Sequence, residues 1–149
     1  MKNDEKLILL VDDNADDREL AIEALSDIQF TNEIIVARNG FEALDFLFCK
    51  GRFASRISNK MPQLILLDLK LPKIDGFEVL RQIRSSERTR LIPTVILSSS
   101  RQDNDISMGY RLGANSYVRK PVDFVEFTRT LKDLFLYWLS INQHVYPKH

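Results

Sequence analysis

Short, uninterrupted apolar runs recur through this chain, and they constrain its fold more than any other feature. Leu7-Ile8-Leu9-Leu10-Val11, Leu64-Ile65-Leu66-Leu67 and Thr94-Val95-Ile96-Leu97 are too continuous for strands with one wet face. They read as strands covered on both sides. Two less uniform runs, Glu33 to Ala37 and Ser116 to Arg119, complete a set of five. Between them lie segments with helical spacing. The first carries Leu20, Ala21, Ala24, Leu25 and Ile28, with Asp16 and Asp17 near its start, where negative charge opposes the helix dipole. The second begins after Asn39-Gly40 and buries Phe41, Leu44, Leu47 and Phe48; Phe77, Leu80 and Ile83 mark a third. A more polar fourth runs from about Asp103 to Leu112 and stops at Gly113, and a fifth runs from Phe124 to about Asn142. This alternation predicts an α/β fold: a flavodoxin-like, doubly wound parallel sheet of five strands in the order 2-1-3-4-5, with five helices.

At 149 residues the chain is expected to be a single domain, with a core over about residues 6–132 and a helical extension over about 133–143. Basic and acidic residues both number 21, and no block of one sign offers a tether for nucleic acid or anionic lipid. No apolar run approaches the roughly 18 residues of a membrane span. Met1-Lys2-Asn3-Asp4-Glu5 lacks the look of a signal peptide, so a cytoplasmic location is expected. Cys49 stands alone among Ala43, Leu44, Leu47 and Phe48 and reads as an apolar filler. Gly51 to Pro62 reads as a basic, exposed connection, and His144 and His149 as solvated residues of a polar tail.

In sheets of this kind the functional crevice lies beyond the carboxyl ends of the strands, where the winding reverses. Asp12-Asp13 follows the first strand and Asp68 follows the third, its spatial neighbour in the predicted order. Taken singly, an Asp after a strand is a turn former or a helix cap. Three at matched strand ends repel, by about 3 kcal/mol for a pair about 5 Å apart at an effective dielectric of about 20, and such a cluster holds a proton or attracts a cation. Mg2+ suits oxygen donors and keeps sites open for phosphate. An EF-hand is the other cation reading, because Asp12, Asn14, Asp16 and Glu23 fall at its spacing. It fails because Asp17 stands where the loop needs Gly and a strand precedes the segment instead of a helix. Ser98 closes the fourth strand and Lys120 follows the fifth, adding a hydroxyl and an ammonium suited to the equatorial oxygens of a transferring phosphoryl group.

These residues resemble the receiver domain of two-component response regulators, the CheY-like superfamily, over about Leu7 to Lys132. The matching set is Asp12-Asp13, Asp68 within Leu-Leu-Asp-Leu-Lys-Leu-Pro, Asp75-Gly76, Ser98 within Leu-Ser-Ser-Ser, Gly113-Ala114, Tyr117 and Lys120-Pro121. The resemblance implies that Asp68 accepts a phosphoryl group from a phosphohistidine on a sensor histidine kinase. It implies Mg2+ held by Asp13 and Asp68 directly, Asp12 through water and the Lys70 backbone carbonyl, with Lys120 paired to the phosphoryl group. It further implies a cis Lys120-Pro121 bond, tuning of acyl-phosphate hydrolysis by Lys70 and Ser100, and room beside the small Ser99 for a donor. Ser98 and Tyr117 would act as the switch that moves the surface of the fourth helix, fifth strand and last helix; a strand tyrosine with a satisfied hydroxyl explains Tyr117 equally well. Such a protein is a phosphoacceptor rather than an enzyme, though it assists its own phosphotransfer and autodephosphorylation. A haloacid-dehalogenase-like phosphatase is disfavoured by Lys70, which stands where that motif needs a second Asp, and an unphosphorylated structural or dimerising receiver would lack one of the key acids or the lysine.

The last helix carries more apolar surface than one face can bury. Phe127, Leu131, Leu134 and Trp138 form a stripe, yet Phe135, Leu136, Tyr137 and Leu139 spread around the circumference. Either the tail folds back onto the domain, or a homodimer forms with Phe135, Trp138 and Leu139 as anchors. This tail, the basic connection and Leu69-Lys70-Leu71-Pro72-Lys73 are similar to the stand-alone regulators that partner cyanobacterial phytochromes, which implies a light-sensing kinase as the donor.

Overall fold

The structure, a computed structural model, describes residues 6–28, 32–56, 60–143 and 145. Strands β1 (Lys6–Val11), β2 (Asn32–Ala37), β3 (Leu64–Leu67), β4 (Thr94–Ser98) and β5 (Ser116–Arg119) form one parallel sheet in the order β2-β1-β3-β4-β5, as the sequence predicts. The apolar runs are continuous because their residues alternate between two layers. Leu7, Leu9, Val11, Ile65, Leu67 and Ile96 face helices α2 (Gly40–Leu47) and α3 (Gly76–Ser85). Ile8, Leu10, Leu64, Leu66, Val95 and Leu97 face α1 (Ala15–Asp27) and α5 (Phe124–Leu136). Helix α4 (Asp103–Arg111) covers the β4–β5 end, where Gly109 lets it press against Ile96 and the Tyr117 ring.

Four of these helices start on an Asn or Asp whose side chain accepts a backbone N–H of the first turn. Asn14 takes that of Asp17, Asn39 that of Glu42, Asp75 that of Glu78 and Asp123 that of Val125. Gly76 then brings the start of α3 against the main chain of Asp68 and Leu69. A Cβ there would collide with the Asp68 carbonyl oxygen, so only glycine permits this approach.

The structure departs from the sequence reading in four places. Phe41 is 52% exposed instead of buried, because α2 begins at Gly40 packed on Ile74 and Val79, which turns residue 41 outward and leaves Ala43, Leu44, Phe46 and Leu47 inside. Cys49 is half-buried and ends α2 at φ 55, where the Arg88 guanidinium donates to its sulfur at 3.3 Å. The Lys120-Pro121 bond is trans, the form that X-Pro bonds favour by roughly 0.5–1 kcal/mol unless the fold imposes the other.

The last helix is the fourth difference. Its α-helical part ends at Leu136, and Tyr137–Ile141 forms a π-turn closed by the Asn142 N–H on the Tyr137 carbonyl at 2.7 Å. Residues four apart drift around an α-helix, and the wider turn takes that drift back. Phe127, Leu131, Phe135 and Leu139 therefore share one buried face, with Leu134 and Trp138 beside it. Phe135 and Leu139, expected as dimer anchors, belong to the chain's own core; toward the end of the helix Leu136, Tyr137 and Ile141 are the exposed large apolar residues. His144 and His149, and residues 57–59 of the basic connection, lie outside the described residues. No helix among those described is long and apolar enough to cross a membrane.

Candidate functional site

The sheet ladder continues past the ends of its strands and fixes the main chain of each predicted site residue. The Asp12 N–H donates to the Ala37 carbonyl at 3.0 Å, that of Asp68 to Val11 at 2.9 Å, and that of Lys120 to Ser98 at 2.8 Å. Val11 pairs with Leu67, so Asp12 and Asp68 leave neighbouring strands side by side. Leu67 pairs with Ile96, Ile96 with Tyr117 and Ser98 with Arg119, which puts Ser98 and Lys120 at the same carboxyl edge.

Asp12, Asp13 and Asp68 each present a carboxylate oxygen within 4.8 Å of the others. Asp12 and Asp68 are nearly buried, at 3% and 9% exposure, whereas Asp13 is exposed. Lys120 reaches the same cluster. Its ammonium lies 2.9 Å from Asp12 Oδ2, 2.8 Å from Asp17 Oδ2 and 3.7 Å from Asp68 Oδ2. One cation thus serves three acids, and the electrostatics follow from that count. Burial pushes the Asp68 carboxyl up to about 6; Lys120 pulls the other way, neighbouring Asp12 adds to the rise, and the N–H groups of Lys70 and Leu69 oppose it. Burial likewise raises Asp12 against the pull of Lys120. For Lys120 burial acts downward, but Asp12, Asp17 and Asp68 together outweigh it and push the ammonium up to about 12. Lys120 stays charged, and its one positive charge is too little for the carboxylates around it. Convergent, under-neutralised oxygen donors beside an exposed opening at Asp13 suit a hard divalent cation that keeps part of its water.

Ser98 is 1% exposed, and its hydroxyl accepts the Ser100 N–H at 3.1 Å. Ser100 in turn donates its hydroxyl to Asp105 Oδ2 on α4 at 2.6 Å and accepts at its carbonyl the Tyr117 phenol at 3.1 Å. Ser98, Tyr117 and the start of α4 therefore meet at Ser100. The tyrosine hydroxyl is satisfied there, so both readings of Tyr117 fit its position. The Lys70 side chain is exposed, and Phe135, Trp138 and Leu139 lie away from this edge on the last helix. Two participants escape the sequence reading. Asp17 reads as a helix-dipole partner, yet its side chain enters the site. Tyr110 on α4 accepts the N–H of Tyr117 at 3.1 Å and so caps the free edge of β5; a mid-helix tyrosine gives no signal of that.

The family described as response regulator receiver domain matches residues 8–132. The chain is 41% identical over 141 residues to a probable methanogenesis regulatory protein, FilR2, of Methanothrix harundinacea, covering 95% of this chain and 88% of that one. It is 39% identical over 133 residues to the response regulator Rcp1 of Synechocystis sp., covering 89% and 84%. Among solved structures, the phosphorylated cyanobacterial phytochrome response regulator RcpA superposes with a TM-score of 0.89 at 38% identity, covering 94% of this chain and 98% of that one. The Mn2+-bound form of Rcp1 does so with 0.88 at 34% identity, covering 94% and 99%.

Proposed function

The chain belongs to the response regulator receiver family, and on that premise we propose that it is a single-domain phosphoacceptor in which Asp68 takes a phosphoryl group from a sensor histidine kinase. The observation that carries this reading is the lysine-faced carboxylate cluster, with Lys120 3.7 Å from Asp68 and Asp12 and Asp13 beside it. An ionised Asp68 oxygen attacks phosphorus, the P–N bond of the donor phosphohistidine breaks, and the imidazole keeps the bonding pair and takes a proton. Asp13, Asp68 and the Lys70 carbonyl would hold Mg2+ directly and Asp12 through water, and the ion would supply charge neutralisation at the phosphoryl oxygens. Lys120 supplies a second, fixed positive charge, and the near-burial of Asp12 and Asp68 keeps water from weakening it.

A phosphoryl group on Asp68 adds acceptor oxygens at the edge where Ser98 waits. Turning the Ser98 hydroxyl toward them withdraws it from the Ser100 N–H, and Ser100 is where Tyr117 and α4 are tied. The signal then leaves through the surface of α4, β5 and α5, with autodephosphorylation closing the cycle. Val122, Phe124 and Val125, exposed just beyond Lys120, form an apolar rim for the donor kinase. RcpA is a phytochrome response regulator, and its likeness supports a phytochrome as that kinase. A homodimer through the last helix would use Leu136, Tyr137 and Ile141, with Trp138 at their margin; sedimentation of wild type as a monomer, unchanged by Tyr137→Asp, would refute it.

The acceptor assignment is tested by incubating the protein with Mg2+ and acetyl phosphate and measuring intact mass. Wild type should gain one phosphoryl group and Asp68→Asn none. Equal labelling of both would remove Asp68 from the role.

A further inference from the structure

Asp17 is the acid at this edge that none of the roles above uses. It is the third residue of α1 after the N-cap Asn14, and an acid there ordinarily turns back to the N–H of the N-cap residue. That partner is already engaged. The Asn14 N–H donates to Asp12 Oδ1 at 2.9 Å, and Asp17's own N–H donates to Asn14 Oδ1 at 3.0 Å. The first turn is also clamped by Arg18, which donates to the Asp12 carbonyl at 3.0 Å. Helix α1 therefore starts without help from the Asp17 carboxylate. Freed from capping, that carboxylate reaches Lys120 Nζ at 2.8 Å, while the ammonium stands 3.7 Å from Asp68. Two of the three ammonium protons are thus held by Asp12 and Asp17.

We propose that Asp17 is a positioning residue acting through Lys120: it holds the ammonium back from the acceptor and competes with the phosphoryl oxygens on Asp68 for its charge. The proposal rests on the phosphoacceptor reading and specifies how that site is tuned. A phosphoryl group arriving at Asp68 gains the full charge of Lys120 only by drawing it from a carboxylate already in contact. The competition slows uptake. Asp17 is not among the three acids whose oxygens converge, so its effect is exerted on the lysine and not as a donor to the cation.

The test compares wild type with Asp17→Asn, which keeps the shape and removes the charge, and Asp17→Glu, which restores a carboxylate. Phosphoryl uptake from acetyl phosphate at saturating Mg2+ is followed by intact mass. In parallel, the 15Nζ signal of Lys120, assigned by its loss in Lys120→Arg, reports the ion pair in protein kept free of divalent cations. Removing a partner worth about 1 kcal/mol to the lysine should raise the uptake rate of Asp17→Asn by roughly three- to tenfold. Asp17→Glu should return the rate to within about twofold of wild type. The Lys120 protons should exchange with water faster in Asp17→Asn and at the wild-type rate in Asp17→Glu. A folded Asp17→Asn that takes up phosphoryl no faster than wild type, or an Asp17→Glu as fast as Asp17→Asn, overturns the proposal. So do unchanged exchange rates. Should Asp17→Asn fold poorly, Asp17→Thr carries the same comparison. Wild type labelled at Asp68 with equal rates in all variants sinks this inference alone, whereas unlabelled wild type sinks the acceptor reading beneath it.

Discussion

The two edges of the sheet handle charge in opposite ways. At the amino edge, three arginines donate to neutral acceptors, main-chain carbonyls and one side-chain amide. Arg84 donates to the carbonyls of Gly113, Arg90 and Ile92 and to Asn115 Oδ1, joining α3 to the entries of β4 and β5. Arg88 and Arg56 reach the last carbonyls of α2 at Leu47 and Phe46, the negative end of that helix. At the carboxyl edge three carboxylates divide one ammonium, and burial leaves Asp12 and Asp68 above their ordinary range. One edge is balanced and holds the fold. The other is left short of positive charge, which under the proposed function is what lets it take up a cation and a phosphoryl group.

Substitutions at the two edges should therefore separate stability from chemistry. The largest effect is expected at the amino edge. Arg84→Ala removes the side-chain donor to the Gly113 and Arg90 carbonyls and one of two donors to the Ile92 carbonyl and Asn115 Oδ1. It should therefore cost about 2–4 kcal/mol and lower Tm by roughly 10 °C; phosphoryl uptake per folded molecule should not change. Lys120→Ala leaves buried carboxylates facing one another and should cost about 2–3 kcal/mol in chelator. A saturating divalent cation should restore most of that, and an equal loss with and without the cation would show the lysine to be structural. Asp68→Asn should act in the other direction. The folded chain raises the Asp68 carboxyl to about 6, so its ionised form opposes folding at pH 7 and the opposition fades as pH falls through 6. Neutralising it should add about 1–2 kcal/mol at pH 7.5 without divalent cations, read as a Tm gain of roughly 3–6 °C. The smallest effect is in pH. Because proton and cation compete for Asp68, affinity for Mn2+ or Mg2+ should fall about tenfold from pH 7 to pH 5. A flat profile would place the raised carboxyl outside the cation site.

Much of the molecule is legible in the sequence because its signals are local. Leu64–Leu67 and Ser116–Arg119 match the strands as read, and Asp12, Asp68, Ser98 and Lys120 could be placed from strand ends alone, since parallel order brings those ends together. What escaped depends on contacts between distant segments or on a change of helical pitch. Asp17 and Lys120 lie 103 positions apart, and nothing at either position announces the other. The clue was indirect: an acid at the capping-box position whose usual partner is claimed by Asp12. In the last helix, a constant 3.6-residue period put Trp138 and Leu134 on the inner stripe. Phe135 instead continues the buried row of Phe127 and Leu131, and one π-turn re-phases the chain after Leu136 and brings Leu139 onto that same face.

The main-chain bonds at Asp12, Asp68 and Lys120 carry a further mechanical consequence. With each of those backbones tethered to an adjoining strand, and Gly76 packed against the main chain of Asp68, the proposed acceptor sits on a braced backbone. Ser100 is different. Hydroxyl groups from Ser98, Tyr117 and its own side chain hold it, and these rotate at little cost. Under the proposed phosphorylation of Asp68, a rigid frame around one soft joint would pass the event on at Ser100, where α4 is tied.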